Sequence, residues 1–264
     1  MEKVTVISIQ KKKKSKDILT ALTCYDAFTG KLVDEAGIDI ALVGDSLANT
    51  RLGYANTIPV TLEEMLHHTK AASRGVQRAL LVADLPFMTY ELSAAQAAQS
   101  AGRFIKEGGA HAVKVEGGKR IGPSITAMLK ANIAVMGHIG LTPQSYYKDG
   151  GYRVKGVTPA QVKDLKADAK YLEQLGVFSL VLEGMRPDVA KAITRSLKIP
   201  TIGIGAGPDC DGQILVLDDL LGLTENSPKF VKKYARLRQS MLKAIQAYKK
   251  DVESRHFPGL QHSY

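Results

Sequence analysis

The sequence predicts an α/β fold, a single (β/α)₈ (TIM) barrel. Eight short apolar segments alternate with helical patterns along the chain, as expected for a parallel sheet covered by helices. The chain has 264 residues, and such a barrel typically needs about 250. Because no linker-like segment divides the chain, we predict one barrel domain over residues 1–264, with a basic N-terminal segment and a C-terminal helical tail.

The strands are predicted from short apolar runs that end at glycine or at a polar residue. Residues 38–43 form an almost continuous apolar run, which is typical of a strand covered on both faces. The same reasoning predicts strands at 18–23, 38–43, 79–83, 112–115, 133–136, 178–182, 199–202 and 213–217.

Capping residues predict where several helices begin. Thr61 with Glu64 three residues later forms a capping box before a helix over 62–73. Ser93 precedes a helix that runs to about residue 107, and Thr158-Pro159 begins a helix to about residue 175. Further helices are expected up to residue 35, over 122–131, over 187–197 and in the basic final region. The polar loop 142–156 is long enough to suggest a functional role.

A doubly wound sheet that binds a dinucleotide is the alternative fold. The motif that would indicate this alternative fold is the glycine-rich loop 203–207, Gly-Ile-Gly-Ala-Gly. Both the glycine spacing and the position near the C-terminus are wrong for a dinucleotide fingerprint, so the barrel is favoured.

The formal net charge of +10 comes largely from two lysine-rich regions, residues 11–16 and 229–250. Nucleic-acid binding would rest on this charge alone, and the chain has no Trp to stack on bases. A solvated basic surface is therefore favoured, and no nucleic-acid partner is predicted. The only cysteines, Cys24 and Cys210, have no partner at zinc-ligand spacing and are expected to be reduced, packed thiols.

The sequence also bears on location. No apolar run is long enough to cross a bilayer, and the chain opens with Glu2 and Lys3 rather than with an apolar signal segment. We therefore expect a cytoplasmic protein with no membrane contact.

Acidic residues follow three successive predicted strands, at Asp45, Asp84 and Glu116. In a barrel the carboxyl ends of the strands meet at one face, where active sites lie. Three neighbouring carboxylates would repel each other unless a cation neutralised them, and carboxylates suit Mg²⁺. The alternative is that each acid caps the helix that follows it. Lys114 precedes Glu116 by two residues, so both side chains are expected on the same face of the strand.

Three further polar residues occupy or adjoin strand ends. Glu183 is either a general base or a solvated, helix-capping acid. His138 either donates a hydrogen bond to a developing oxyanion or is structural. Ser46 follows Asp45 directly, and Lys114 can pair either with a substrate carboxylate or with the acids.

Several motifs resemble those of the ketopantoate hydroxymethyltransferase family, in the family's order and nearly from end to end. The most specific is Gly-His-Ile-Gly-Leu-Thr-Pro-Gln at 137–144. The others are Leu-Val-Gly-Asp-Ser-Leu at 42–47, Asp-Leu-Pro-Phe at 84–87, Lys-Val-Glu-Gly-Gly at 114–118 and the loop 203–207.

The resemblance implies a barrel enzyme that transfers a one-carbon unit from 5,10-methylenetetrahydrofolate to 3-methyl-2-oxobutanoate, giving 2-dehydropantoate. It also implies Mg²⁺ and a homo-oligomer, commonly a decamer. By motif, Asp45, Asp84 and Glu116 resemble metal ligands, and Glu183 resembles the base. The residues that resemble substrate contacts are Asp45, Ser46, Asp84, Lys114 and His138.

One segment departs from the family pattern. After Glu183 the family usually has Cys and then Val-Pro or Met-Pro, whereas this chain has Gly-Met-Arg-Pro at 184–187. The alternative function is that of another Mg²⁺-dependent carbon–carbon lyase of the phosphoenolpyruvate mutase and isocitrate lyase type. Such lyases typically carry a catalytic cysteine in a Lys-Lys-Cys-Gly-His-like loop, which this chain lacks.

Overall fold

The computed structural model describes residues 2–264 and contains a closed barrel of eight parallel strands in sequential order. The last strand pairs with the first, Leu19 opposite Gly212, which closes the sheet. The strands are β1 (Leu19–Thr23), β2 (Ile40–Val43), β3 (Leu80–Asp84), β4 (Ala112–Glu116), β5 (Val135–Gly140), β6 (Ser179–Glu183), β7 (Thr201–Ile204) and β8 (Gly212–Leu215). The predicted (β/α)₈ barrel is confirmed.

Helices cover the barrel; the first precedes β1, and the others follow strands. Within the chain up to Val216 they are α1 (Val6–Ser15), α2 (Ala27–Glu35), α3 (Leu47–Thr50), α4 (Leu62–Ser73), α5 (Ala94–Lys106), α6 (Gly122–Lys130), α7 (Tyr146–Asp149), α8 (Pro159–Leu175) and α9 (Pro187–Ser196). The capping box of Thr61 and Glu64 is present at the start of α4. Short 3₁₀ turns lie at Lys119–Ile121 and Pro143–Ser145.

β5 extends beyond the predicted 133–136, because Gly137 does not end it. A Cβ at Gly137 would lie 3.0 Å from Leu180 Cδ1 and 3.2 Å from Leu172 Cδ1. The glycine therefore permits close packing of the strand against its neighbours. The prediction took Gly137 as the end of the strand and so ended the strand too early. As a result, His138 lies within the strand rather than after it.

The basic N-terminal segment forms a helix, α1, and two of its lysines are paired. Lys12 Nζ lies 2.6 Å from Asp39 Oδ1, and Lys13 Nζ lies 2.7 Å from Asp211 Oδ2. Both acids immediately precede strands, at the amino-terminal end of the barrel. The interpretation of this run as a solvated face is therefore wrong for these two lysines.

The interior of the barrel is filled by apolar side chains from the strands, including Leu42, Val82, Met136 and Ile202. Ile9 of α1 is fully buried in the same cluster. The helix thus contributes to the apolar core, whereas the polar groups lie at the carboxyl end of the barrel.

Contacts divide the chain into two compact units, one ending at Val216 and the other Leu217–Tyr264. The second unit contains α10 (Leu217–Leu220) and α11 (Leu237–Glu253). The helical C-terminal tail is thus present, and its inclusion in a single domain stays a prediction. Among residues 2–264, no helix has both the length and the apolar character needed to cross a membrane.

Candidate active site

The carboxyl ends of β2 to β6 bring the predicted polar residues together. Strand register places Asp84 beside Lys114, and Glu116 beside His138. The Lys114 and Glu116 side chains approach each other to 3.8 Å, in agreement with the prediction that they share one face of β4. Residues far apart in the sequence thus form one cluster because parallel strands end at the same face.

Lys114 lies at the centre of this cluster. Its Nζ is 2.9 Å from Asp84 Oδ1, 3.1 Å from His138 Nδ1 and 3.8 Å from Glu116 Oε1. Burial disfavours the charged amine, but Asp84, Glu116 and Asp45 outweigh burial and raise the pKa of Lys114. The lysine is therefore a permanent buried cation, surrounded by carboxylates.

Asp45 and Asp84 are buried and directly connected. The backbone N–H of Asp45 donates to Asp84 Oδ2 over 3.1 Å. Burial, followed by the charges of Asp84 and Glu116, raises the pKa of Asp45 well above its usual value. Burial also raises the pKa of Asp84, although Lys114 opposes this effect. Burial is the largest cause of both shifts, and the charge of Glu116 adds to it in each case.

A series of close contacts runs beside Lys114, from Glu116 through His138 to Glu183. His138 Nδ1 lies 3.4 Å from Glu116 Oε1, and its Nε2 lies 3.2 Å from Glu183 Oε2. Burial and Lys114 lower the pKa of His138, but Glu116 and Glu183 outweigh them and raise it to about 9. Burial raises the pKa of Glu116, yet His138 and Lys114 bring it below its usual value. The Glu183 side chain is 17% exposed and is thus within reach of a bound molecule.

Ser46 is held at the edge of the cluster by Tyr25. The two hydroxyl oxygens lie 2.9 Å apart. Gly44 permits this arrangement, because a Cβ there would lie 2.9 Å from Ser46 Oγ. The serine hydroxyl is therefore oriented by a buried phenol.

Gln144 is a central residue for which the sequence predicted no role. Its Nε2 donates to Asp45 Oδ2 and to the carbonyl of Leu85, each over 2.9 Å. Its backbone N–H donates to Glu116 Oε2 over 3.0 Å, and its Oε1 accepts from the Tyr90 hydroxyl over 2.6 Å. The only sequence signal was membership of the polar loop 142–156 and of the 137–144 motif. Gln144 therefore links the ends of β2, β3 and β4.

The donor set suits a hard divalent cation. Oε1 of Glu116 is buried without a hydrogen-bond partner in the described chain, and the neighbouring carboxylates repel each other. Within residues 2–264, however, no three His, Cys, Asp or Glu side chains are arranged to hold one ion together. One or two carboxylates suffice for Mg²⁺ when substrate and water supply the remaining oxygens. Asp45 and Asp84 fit that requirement.

Polar and charged side chains at the carboxyl end of a closed parallel barrel define a barrel enzyme. The model of the family described as ketopantoate hydroxymethyltransferase matches residues 3–260. The chain belongs to this family.

Curated relatives agree with this membership over the whole chain. A "3-methyl-2-oxobutanoate hydroxymethyltransferase" of Thermoanaerobacter sp. (strain X514) is 53% identical over 264 residues, covering 100% of this chain and 96% of the relative. The protein of the same name from Moorella thermoacetica is 50% identical, covering 99% of this chain and 98% of the relative.

Solved structures with a similar fold are more distant in sequence. A phosphonopyruvate hydrolase in complex with oxalate and Mg²⁺ has a TM-score of 0.64 at 13% identity, covering 98% of this chain and 93% of that protein. A 2,3-dimethylmalate lyase of the PEP mutase/isocitrate lyase superfamily has a TM-score of 0.62 at 16% identity, covering 97% and 89%. At this identity the likeness supports the barrel fold alone, so it gives no support to a lyase activity.

Proposed function

We propose that the chain transfers a one-carbon unit from 5,10-methylenetetrahydrofolate to 3-methyl-2-oxobutanoate, giving 2-dehydropantoate. The observation that carries the proposal is the grouping of a part-exposed carboxylate, Glu183, with a buried cationic lysine and two buried aspartates. Family membership supplies the reaction, and this grouping supplies the chemical groups that it needs.

Asp45 and Asp84 are the residues that would hold Mg²⁺. Glu116 is proposed as a third acid near the metal rather than as a third direct ligand, because no three such side chains of residues 2–264 are arranged to hold one ion. When bound, Mg²⁺ would stabilise negative charge on the keto oxygen of the substrate as a Lewis acid. Gln144 would fix the orientation of Asp45, since it donates to Oδ2 and is itself held by Tyr90. Ser46 is proposed to contact the substrate oxygens.

Glu183 is proposed as the general base that removes the C3 proton of the oxo acid. Loss of this proton places negative charge on the keto oxygen, and the Lys114 ammonium offsets it electrostatically. His138 lies between Lys114 and Glu183, with one ring nitrogen toward each. We propose that it positions Glu183 and donates a hydrogen bond as charge develops.

The new carbon–carbon bond joins C3 of the oxo acid to the methylene carbon of the donor. Both carbon–nitrogen bonds of that methylene group break, and one water supplies the hydroxyl oxygen of the product. The C3 proton and one water proton end on the two folate nitrogens, which gives tetrahydrofolate. Glu183 is the residue that can carry the first of these protons.

Homo-oligomerisation, commonly to a decamer in the family, remains a proposal. It is supported by exposed apolar side chains along α11, among them Met241, Ile245 and Tyr248. Light scattering of the purified chain would measure the assembly, and a monomer across the concentration range would contradict the proposal.

Product analysis tests the proposed reaction. The purified chain is incubated with 3-methyl-2-oxobutanoate, 5,10-methylenetetrahydrofolate and Mg²⁺, and a parallel sample contains a chelator. We expect 2-dehydropantoate only in the sample with free Mg²⁺. Absence of this product at every Mg²⁺ concentration would refute the proposal.

A further inference from the structure

The long loop after β5 begins and ends beside the strand end that carries Glu183. Before the loop, the Leu141 N–H donates to the Glu183 carbonyl over 2.8 Å. After it, the Lys155 N–H donates to the Gly184 carbonyl, also over 2.8 Å. Residues 142–154 therefore form a loop whose two ends meet at the proposed base.

An ion pair closes a short turn within this loop. Lys155 Nζ lies 2.6 Å from Asp149 Oδ2, and the two side chains are only 22% and 21% exposed. The intervening residues, 150–154, form the turn. Because a partly buried pair is screened less by water and salt than a surface pair, it holds the ends of the turn together more firmly.

The middle of the turn has little packing of its own. The backbone at Gly150 and Gly151 is left-handed, with φ of 67° and 106°, and a Cβ added at Gly151 would touch no atom within 4 Å. Tyr152 and Val154 are 51% and 59% exposed. A segment with few buried contacts opens at a low cost in free energy, so the ion pair at its ends largely decides whether it stays closed.

Tyr152, in the middle of the turn, lies near the buried polar cluster around Lys114. Its ring packs edge to face against Tyr146, with 4.9 Å between the ring centroids. Partial burial raises the pKa of Tyr152 to about 12, and the negative charges of Asp45 and Glu183 add to this effect. The hydroxyl of Tyr152 is therefore within electrostatic reach of the proposed reaction centre.

We propose that loop 142–154 is a lid over the bound oxo acid, and that Asp149 and Lys155 are positioning residues whose ion pair keeps Tyr152 over the cluster. The inference rests on the proposed function and adds the part of the chain that excludes water. Removal of the C3 proton leaves a nucleophilic carbon, which water can reprotonate before the one-carbon unit is transferred. A closed lid reduces this loss.

Amide hydrogen–deuterium exchange of residues 150–154, measured by mass spectrometry, tests the ion pair without turnover. Lys155→Met removes the charge but keeps a long side chain, and we expect amide exchange in the turn to become about fivefold faster. The matched control is Lys191→Met, whose pair with Asp209 is 41% and 37% exposed, with an expected change below about twofold. Unchanged amide exchange in Lys155→Met would overturn the proposal.

Reversal of the two charges separates the ion pair from other effects of substitution. Asp149→Lys and Lys155→Asp each bring like charges together and should open the turn more than Lys155→Met does. The double variant restores opposite charges and should bring amide exchange back to within about twofold of the unaltered chain. A double variant as open as either single variant would refute a role of the ion pair.

A second measurement asks whether the loop shields the reaction. With both substrates and Mg²⁺ in deuterated water, NMR gives the ratio of deuterium at C3 of the remaining oxo acid to 2-dehydropantoate formed. We expect this ratio to rise about fivefold in Lys155→Met and in Tyr152→Ala, and less than about twofold in Lys191→Met. Faster amide exchange with an unchanged ratio would mean that the loop opens without covering the reaction, and the lid would be refuted.

The outcomes separate the lid from the function. If the unaltered chain forms no 2-dehydropantoate, the proposed function fails, while amide exchange and deuterium incorporation at C3 still decide whether the ion pair closes the loop over the oxo acid. If product forms and Lys155→Met changes neither amide exchange nor the ratio, the lid fails and the function stands. Both partners lie outside the strands of the barrel, so circular dichroism should show unchanged folding.

Discussion

The side-chain amide of Gln144 donates to Asp45 Oδ2 over 2.9 Å, joining the loop after β5 to the end of β2. We expect Gln144→Leu to lower kcat roughly ten- to a hundredfold, because a hydrogen bond to a buried charged group contributes about 1.5–3 kcal/mol. The variant should also need more Mg²⁺ for half-maximal thermal stabilisation. Tyr90→Phe, which retains the Asp45 contact, should have the smaller effect on both quantities. Equal effects of the two substitutions would mean that Gln144 does not act through Asp45.

Glu183→Gln should abolish exchange of the C3 proton of 3-methyl-2-oxobutanoate in deuterated water. The amide cannot accept this proton, and general bases typically contribute about 10²–10⁴-fold to rate. Proton NMR measures exchange with Mg²⁺ present and without any folate. Glu63→Gln is the control, because Glu63 is exposed and lies outside the cluster. Undiminished exchange by Glu183→Gln would assign the base to another group.

Lys114→Met should destabilise the fold by about 3–5 kcal/mol, because it leaves buried carboxylates without their cation. Mg²⁺ should therefore raise the Tm of this variant more than it raises the Tm of the unaltered chain. Lys31→Met is the control, since its ion pair with Glu35 is exposed on both sides, 68% and 61%, and its loss should cost at most about 1 kcal/mol. Thermal unfolding with and without Mg²⁺ gives both comparisons. Equal losses from the two substitutions would count against a central role of Lys114.

The thiols of Cys24 and Cys210 should be unreactive in the native chain. Burial, with smaller effects of Asp26 and Asp34, raises the pKa of Cys24 from 9.0 to about 12, and burial also raises that of Cys210. A raised pKa lowers the thiolate fraction. At pH values near 9 the native thiols therefore stay protonated, whereas the thiols of the unfolded chain ionise. A thiol reagent at pH 8 should therefore titrate both cysteines only after denaturation. Rapid labelling of the native chain would show that the two sites open readily.

Ile9→Ala should destabilise the barrel by about 2–5 kcal/mol, because Ile9 is fully buried in the core cluster. Ile7→Ala is the matched control, since Ile7 lies on the same helix and is 65% exposed. Urea unfolding measures both variants. A similar midpoint for the two would mean that α1 contributes little to closing the amino-terminal end of the barrel.

Much of this protein follows from local sequence pattern. A strand buried on both faces must be apolar throughout, so runs such as 38–43 identify strands without any knowledge of their neighbours. The parallel barrel places the carboxyl ends of all strands at one face, so the acids at the ends of β2, β3 and β4 could be expected to meet. Lys114 and Glu116 could be assigned to one face by alternation alone.

Other features depend on the tertiary structure, because long-range contacts leave no periodic signal in the sequence. Gln144 is 99 residues from Asp45, and its pairing with Tyr90 joins two loops of unrelated sequence. The lysines of α1 resemble any solvated basic run until the fold brings Lys12 to Asp39. The sequence by itself determined the barrel and the residue types at its carboxyl end. Only the tertiary structure decided which of them touch, because each contact depends on how loops from different strands pack together.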